Sequence, residues 1–272
     1  LRDLPQAGLR GRSPRSKVVT FTVVMLLALA FVSSAAAYEE AEVKDGGVVA
    51  GVVKFAGSPP RLEPIRVNKN REVCGESKTS EALVVGPEGG VRGSVVLIEG
   101  VTRGKKPEGE LLLDNNRCHF VPHVGALMAG GRARVKNSDS VLHNTHGFHV
   151  TGEGAGKQTV FNLALPSAGQ VIDITKKLTR PGPIRVLCDA HTHMFGWVYV
   201  HDSPYVTVTD ERGAFRIAGV PPGTYRVTLW HEGFRPRGTD KDGRPLYDEP
   251  QKVSKEVTVA PRATATVDFE LR

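Results

Sequence analysis

Short β-branched runs, broken at regular intervals by turn residues, constrain this chain more than any other feature. Residues 48–55 read Val-Val-Ala-Gly-Val-Val-Lys-Phe, and 93–98, 133–136, 171–175, 184–187 and 197–200 are of the same kind. Gly57-Ser58-Pro59-Pro60, Asn137-Ser138-Asp139 and Arg180-Pro181-Gly182-Pro183 separate them. No stretch keeps a helical period for more than about two turns. Such punctuation predicts an all-β chain of antiparallel sandwiches rather than alternating βα units.

The first 37 residues read as an address rather than as fold. Arg10, Arg12, Arg15 and Lys17 precede an uncharged apolar run over 18–32, and Ser33, Ser34 and Ala35-Ala36-Ala37 follow. A basic head, a short apolar body and a small-residue exit describe a signal peptide of the general export route. The run is shorter than the ~20 apolar residues that cross a bilayer, although an uncleaved anchor is the bland alternative. Cleavage would remove five of the 36 Lys and Arg and one of the 29 Asp and Glu. The remaining +3 is ordinary for an exported protein, and no basic stripe with interleaved aromatics points to nucleic acid. The expected location is periplasmic or secreted, with no membrane attachment after cleavage.

Three cysteines, Cys74, Cys118 and Cys188, remain in the exported part. An odd count in an oxidising compartment implies one disulfide and one thiol with another task. Cys188 has the context for that task, which leaves Cys74 and Cys118 as the default bridge. Eight of the nine histidines lie between His119 and His201. The informative run is Cys188-Asp-Ala-His191-Thr-His193-Met194, placed between two predicted strands. A thiolate, an imidazole and a thioether on one loop face a single ion. A second imidazole completes the trigonal donor set of electron-transfer copper, and His143, after a strand and a turn, is the natural source. The competing reading pairs Cys188 with Cys74 or Cys118 and leaves a metal-free sandwich. Of the other histidines, His146, His149 and His201 read as polar surface residues. His119 and His123 flank Phe120-Val121-Pro122, where one packs inside or a second metal site forms. Met128 reads as core.

With these residues in view, 109–202 resembles the cupredoxins, and among them the amicyanin-like type 1 copper domains. The matching pieces are Val135-Lys136-Asn137, His143-Asn144-Thr145-His146 and Cys188-x-x-His191-x-x-Met194, with Phe120-Val121-Pro122 and Gly130-Gly131 upstream. The resemblance implies a Greek-key β-sandwich holding one type 1 copper. Cys188 would be the thiolate, His143 and His191 the equatorial imidazoles, Met194 the long axial ligand and Asn144 the bridge between the ligand loops. His193 departs from the pattern, since an aromatic or apolar residue is expected there. It is an alternative ligand to His191, or else it lies near the exposed edge of the copper site where a partner docks.

Residues 206–234 resemble the carboxypeptidase regulatory-like, transthyretin-type sandwich. The carriers of that likeness are Thr209-Asp210-Glu211-Arg212-Gly213-Ala214-Phe215, a predicted hairpin turn, and Pro221-Pro222-Gly223-Thr224-Tyr225. The expected organisation is a signal peptide over 1–37, a β segment over 38–108, the cupredoxin domain over 109–202 and a second small sandwich segment over 203–272. Residues 45–100 and 203–272 then build one sandwich around the cupredoxin, or stand as two independent modules. Residues 102–109 read as a loop.

The expected function is that of an exported single-copper electron-transfer protein. It is not an enzyme, and its expected partners are redox proteins such as a c-type cytochrome or a periplasmic dehydrogenase. The rivals are a copper-handling protein using the same ligands and a metal-free β-sandwich surface protein.

Overall fold

In the computed structural model, residues 38–150 and 158–272 are described; the expected signal peptide lies outside the described residues. Among the strands of three or more residues, β1 (Gly47–Phe55) and β2 (Val95–Glu99) come first. Nine strands follow: β3 (Leu111–Asn116), β4 (His119–Val121), β5 (Val124–Met128), β6 (Ala133–Asn137), β7 (His143–His149), β8 (Gln158–Leu165), β9 (Val171–Asp173), β10 (Gly182–Leu187) and β11 (Phe195–His201). They form two sheets, ordered β4-β3-β6-β9 and β5-β11-β10-β7-β8. β3 and β6 run parallel, as do β5 and β11. Parallel neighbours cannot be joined by a tight hairpin, so the chain crosses between sheets in Greek-key fashion. Val135, Leu113, Val186, Val198 and Phe120 fill the space between these sheets.

The chain then adds β12 (Val206–Val208), β13 (Ala214–Val220), β14 (Gly223–His231), β15 (Pro236–Thr239), β16 (Pro245–Tyr247), β17 (Gln251–Val259), β18 (Thr264–Thr266) and β19 (Phe269–Leu271). β15 and β16 pair with each other as a separate two-stranded sheet, and the other six share sheets with the first two. One sheet is β12-β2-β14-β17; in the other, β1 pairs with β13, β18 and β19. Val49, Val53, Ile98, Ile217 and Phe269 are among the residues of its core.

The turn over 209–213 differs from its expected role as a hairpin. Gly213, at φ 72°, donates its N–H to the carbonyl of Asp210, so the reversal is tight. The strands it joins lie in different sheets, because β12 pairs with β2 whereas β13 pairs with β1. The turn is therefore an arch between sheets. Residues 102–109 are mainly irregular but include a two-residue strand, Arg103–Gly104, paired with Glu39–Glu40.

Two strands are apolar on both faces because both faces are covered. Every residue of β11 is buried, as are four of the five in β2. Val95 and Leu97 of β2 pack with Val124, Trp197, Tyr199 and Trp230 in one shared cluster that joins the two sandwiches. His201, expected at the surface, ends β11 in this region; it is buried and donates from Nε2 to the carbonyl of Ile98 at 3.0 Å. His149, also expected at the surface, is buried because period-two alternation along β7 gives it the same face as His143. His146 alternates outward and is half-buried, while Met128, expected in the core, is only half-buried. Among the described residues, no helix is long and apolar enough to cross a membrane.

Candidate metal centre

The pairing of β7 with β10 delivers the donor set. The two strands are antiparallel, with His146 opposite Leu187. Residues just before His146 therefore lie beside the loop that leaves β10 after Leu187. His143 opens β7 from one side, and Cys188 opens the loop from the other. The loop is short and internally bonded: Cys188 N–H donates to the Met194 carbonyl at 3.2 Å and Met194 N–H to the His191 carbonyl at 3.0 Å.

Cys188, His143 and His191 are each 0% exposed. Cys188 Sγ lies 3.5 Å from His191 Nδ1 and 4.0 Å from His143 Nδ1. The ligand atoms of all three lie within 4.8 Å of one another. A transition-metal ion with sulfur at about 2.3 Å and imidazole nitrogen at about 2.0 Å holds such donors roughly 3.5–4 Å apart. Both sulfur–nitrogen distances thus suit donors to a single ion. A second group, Cys118, Asp139 and His143, is equally close, but the Cys118 sulfur is consumed in a disulfide. Met194 is buried in the same core cluster as Cys188.

Both imidazoles are turned the right way by partners on their outer nitrogens. His143 Nε2 is 2.9 Å from Asp139 Oδ2. A carboxylate only accepts, so Nε2 carries the proton and Nδ1 the lone pair. His191 Nε2 donates to Asn70 Oδ1 at 3.0 Å, with the same result. Partners of this kind fix tautomer and ring orientation for a metal. Burial holds His143 below the ordinary imidazole range against the pull of Asp139, and burial with the nearby His143 takes His191 down to about 4. Both rings are thus uncharged near neutral pH. Burial pushes the Cys188 thiol up, opposed by backbone N–H groups of Asn144, His191 and Ala190 and by the Arg244 charge. Metal binding must therefore displace the thiol proton.

Asn144 links the two loops. Its N–H points at Cys188 Sγ at 3.4 Å, and its Oδ1 accepts from Asp189 N–H at 3.4 Å. His146 is engaged through both nitrogens, by Asp189 at 2.8 Å and Thr159 at 3.0 Å. His193 matches the leading expectation, in which His191 is the ligand, on the first count and departs from its expected place on the second. It is not in the Cys188 group, and it is 4% exposed rather than at an open edge. Ile65, Lys78 and Thr79, from a distant part of the chain, line the small cavity beside it.

Three residues that hold the site escaped the sequence reading. Asp139 accepts from the N–H groups of Arg117 and Cys118, both at 2.7 Å, as well as from His143. Arg117 and Cys118 have φ of 50° and 56° and form the two-residue turn between β3 and β4. Non-glycine residues pay about 1–2 kcal/mol for that conformation, which the Asp139 contacts offset. Only the turn signal Asn137-Ser138-Asp139 hinted at it. Asn70 precedes a single helical turn, α1 (Arg71–Cys74), and comes from a segment far from the ligands in sequence. Arg244, on the turn between β15 and β16, donates to the carbonyls of Cys188 at 3.0 Å, Thr192 at 3.2 Å and Met194 at 3.1 Å. Neither Asn70 nor Arg244 carries a local motif.

Cys74 and Cys118 form the expected disulfide, and Cys188 is a free, buried thiol. The bridge ties the Asn70 segment to the Asp139 turn, so it connects the outer partners of both histidines. Its cysteines are 44 residues apart, and closing such a loop removes about 4 kcal/mol of unfolded-chain entropy. The double variant Cys74→Ser, Cys118→Ser is expected to lose stability of that order in urea unfolding. It should also label faster at Cys188 with a thiol reagent, because the segment over His191 is released. Equal labelling rates would show that the bridge does not hold that segment in place.

Residues 198–272 match the sequence profile of the carboxypeptidase regulatory-like domain. No curated protein matches the chain. Among solved structures, a purple cupredoxin from Nitrosopumilus maritimus is 19% identical, with 35% of this chain and all of that one covered, at a TM-score of 0.28. A reduced Cu(I) form of an amicyanin variant is 16% identical, covering 39% and 98%, at 0.27. A Cu-containing nitrite reductase from Thermus scotoductus SA-01 is 19% identical at 0.27; the match covers 38% of this chain and only 24% of that enzyme. At such scores these likenesses add no weight to the site, which stands on its own donor geometry. The C-terminal part of the chain is similar to the carboxypeptidase regulatory-like domains over residues 198–272.

Proposed function

We propose that this protein is an exported electron carrier holding one type 1 copper through Cys188, His143 and His191, with Met194 as the weak axial donor. Copper in such a set passes single electrons by alternating between Cu(II) and Cu(I). The observation that carries the reading is the convergence of one thiol and two Nδ1 lone pairs at 3.5–4.0 Å. Each histidine is fixed from behind, by Asp139 and by Asn70. Arg244 grips the ligand loop at three carbonyls. A donor set held this firmly moves little between oxidation states, which keeps the reorganisation cost of electron transfer low.

Enclosure also favours a carrier of electrons over a carrier of copper. An ion can leave only after Asn70 or Arg244 lets go, whereas an electron tunnels through a packed wall. The protein acts without catalysis of its own, on redox partners such as a c-type cytochrome or a periplasmic dehydrogenase. The test mixes the reduced, copper-loaded protein with an oxidised c-type cytochrome in a stopped-flow instrument. One electron per copper should be exchanged, with the copper retained on the protein afterwards. Copper lost to a chelator faster than any electron exchange would instead identify a copper-handling protein.

A further inference from the structure

A second group of histidines lies outside the Cys188 set. His119, His123 and His193 line one small cavity with Glu81 and Lys78. Its volume is about 10 Å³, room for one water or one ion. His193 is 4% exposed, and among the described residues neither of its ring nitrogens has a hydrogen-bond partner. A buried polar group without a partner costs about 1–3 kcal/mol, and metal coordination removes that cost.

The other two histidines are each backed by a carboxylate. His119 Nδ1 lies 3.2 Å from Glu81 Oε2, and His123 Nε2 lies 2.5 Å from Glu232 Oε1. Glu232 is itself fixed by the Trp197 indole N–H at 2.8 Å. Carboxylate behind imidazole is the arrangement that orients metal-bound histidine. It leaves His119 Nε2 and His123 Nδ1 without hydrogen bonds among the described residues.

We propose that His119, His123 and His193 form a second metal site, for a borderline divalent ion of the zinc class. Three imidazoles supply the nitrogen-rich donor set that such ions take. Their nitrogens are not within 4.8 Å of one another as the Cys188 donors are, so the site closes by rotation of a ring. His119, with 29% of its side chain exposed, has the freedom to do so. Burial pulls His123 down, yet its pairing with Glu232, helped by Glu81 and opposed by Arg92, carries it above the ordinary imidazole value. Lys78 opposes the incoming charge, but its amine is directed to the carbonyl of Arg117 at 2.7 Å.

Met194 also lines this cavity, but none of the three imidazoles belongs to the Cys188 set, so the site is tested without copper. Zinc is titrated by calorimetry into the full chain carrying Cys188→Ser, which removes the thiolate. One zinc per chain is expected. Adding His193→Phe should leave at most the weak affinity of the His143 and His191 pair, and adding His119→Gln, a change at a partly exposed ring, should raise the zinc Kd at least tenfold. Circular dichroism checks that each variant is folded; if His193→Phe is not, the His119→Gln comparison decides. Absence of zinc binding to the Cys188→Ser chain, or zinc binding unchanged by His119→Gln, would overturn the proposal.

Discussion

Cys188→Ser is expected to remove the intense visible colour of the copper-loaded protein completely. The colour of a type 1 site arises from charge transfer out of a covalent copper–sulfur bond, which a hydroxyl cannot supply. Cys188 is the free thiol among the three cysteines, and it stands between two imidazole nitrogens. Serine at this buried position leaves His143 and His191 in place, each with its outer partner. The variant should therefore keep some copper affinity and give an EPR spectrum of ordinary tetragonal Cu(II). A Cys188→Ser protein that stayed coloured would place the chromophore elsewhere in the chain.

Arg244→Met is expected to cost about 3 kcal/mol in stability, the scale for breaking charge-assisted hydrogen bonds to buried groups. The guanidinium is 7% exposed and serves three carbonyls of the ligand loop. Methionine fills similar space but leaves the Cys188 and Thr192 carbonyls unpaired and the Met194 carbonyl with only the Cys188 N–H. A second effect separates electrostatics from packing. A nearby cation favours the less positive Cu(I) state, so its removal should lower the reduction potential. Arg244→Lys keeps the charge but not the planar fork that reaches several acceptors at once. It should hold the potential near the wild-type value while losing much of the stability. A potential unmoved by Arg244→Met would mean that the charge is screened from the site.

The all-β fold and the grouping of Cys188, His143 and His191 were legible for a physical reason. Strand character is written locally in β-branched runs, and Cys188, His191 and Met194 lie on one short loop. His143 was accessible because a strand and turn precede it. The bridge between Cys74 and Cys118 followed from cysteine arithmetic rather than spacing. What stayed hidden depends on distant chain. Asn70 meets His191 across 121 residues and Arg244 meets Cys188 across 56. No local pattern encodes either contact. The same blindness misplaced His193 at an open edge, since the covering segment is remote from it in sequence. It also misassigned His149 and His201, because a polar residue at a strand end looks alike whether solvent or a second sandwich lies beyond it. The turn over 209–213 has hairpin chemistry, yet sheet membership is decided by β1 and β2, far upstream.

Optical and EPR spectra of the copper-loaded wild-type protein test the central claim most directly. One copper per chain, an intense visible thiolate-to-copper band and the narrow copper hyperfine splitting of a covalent Cu–S bond are expected from Cys188, His143 and His191. A colourless protein with a tetragonal Cu(II) spectrum, or one that takes up no copper, would contradict it.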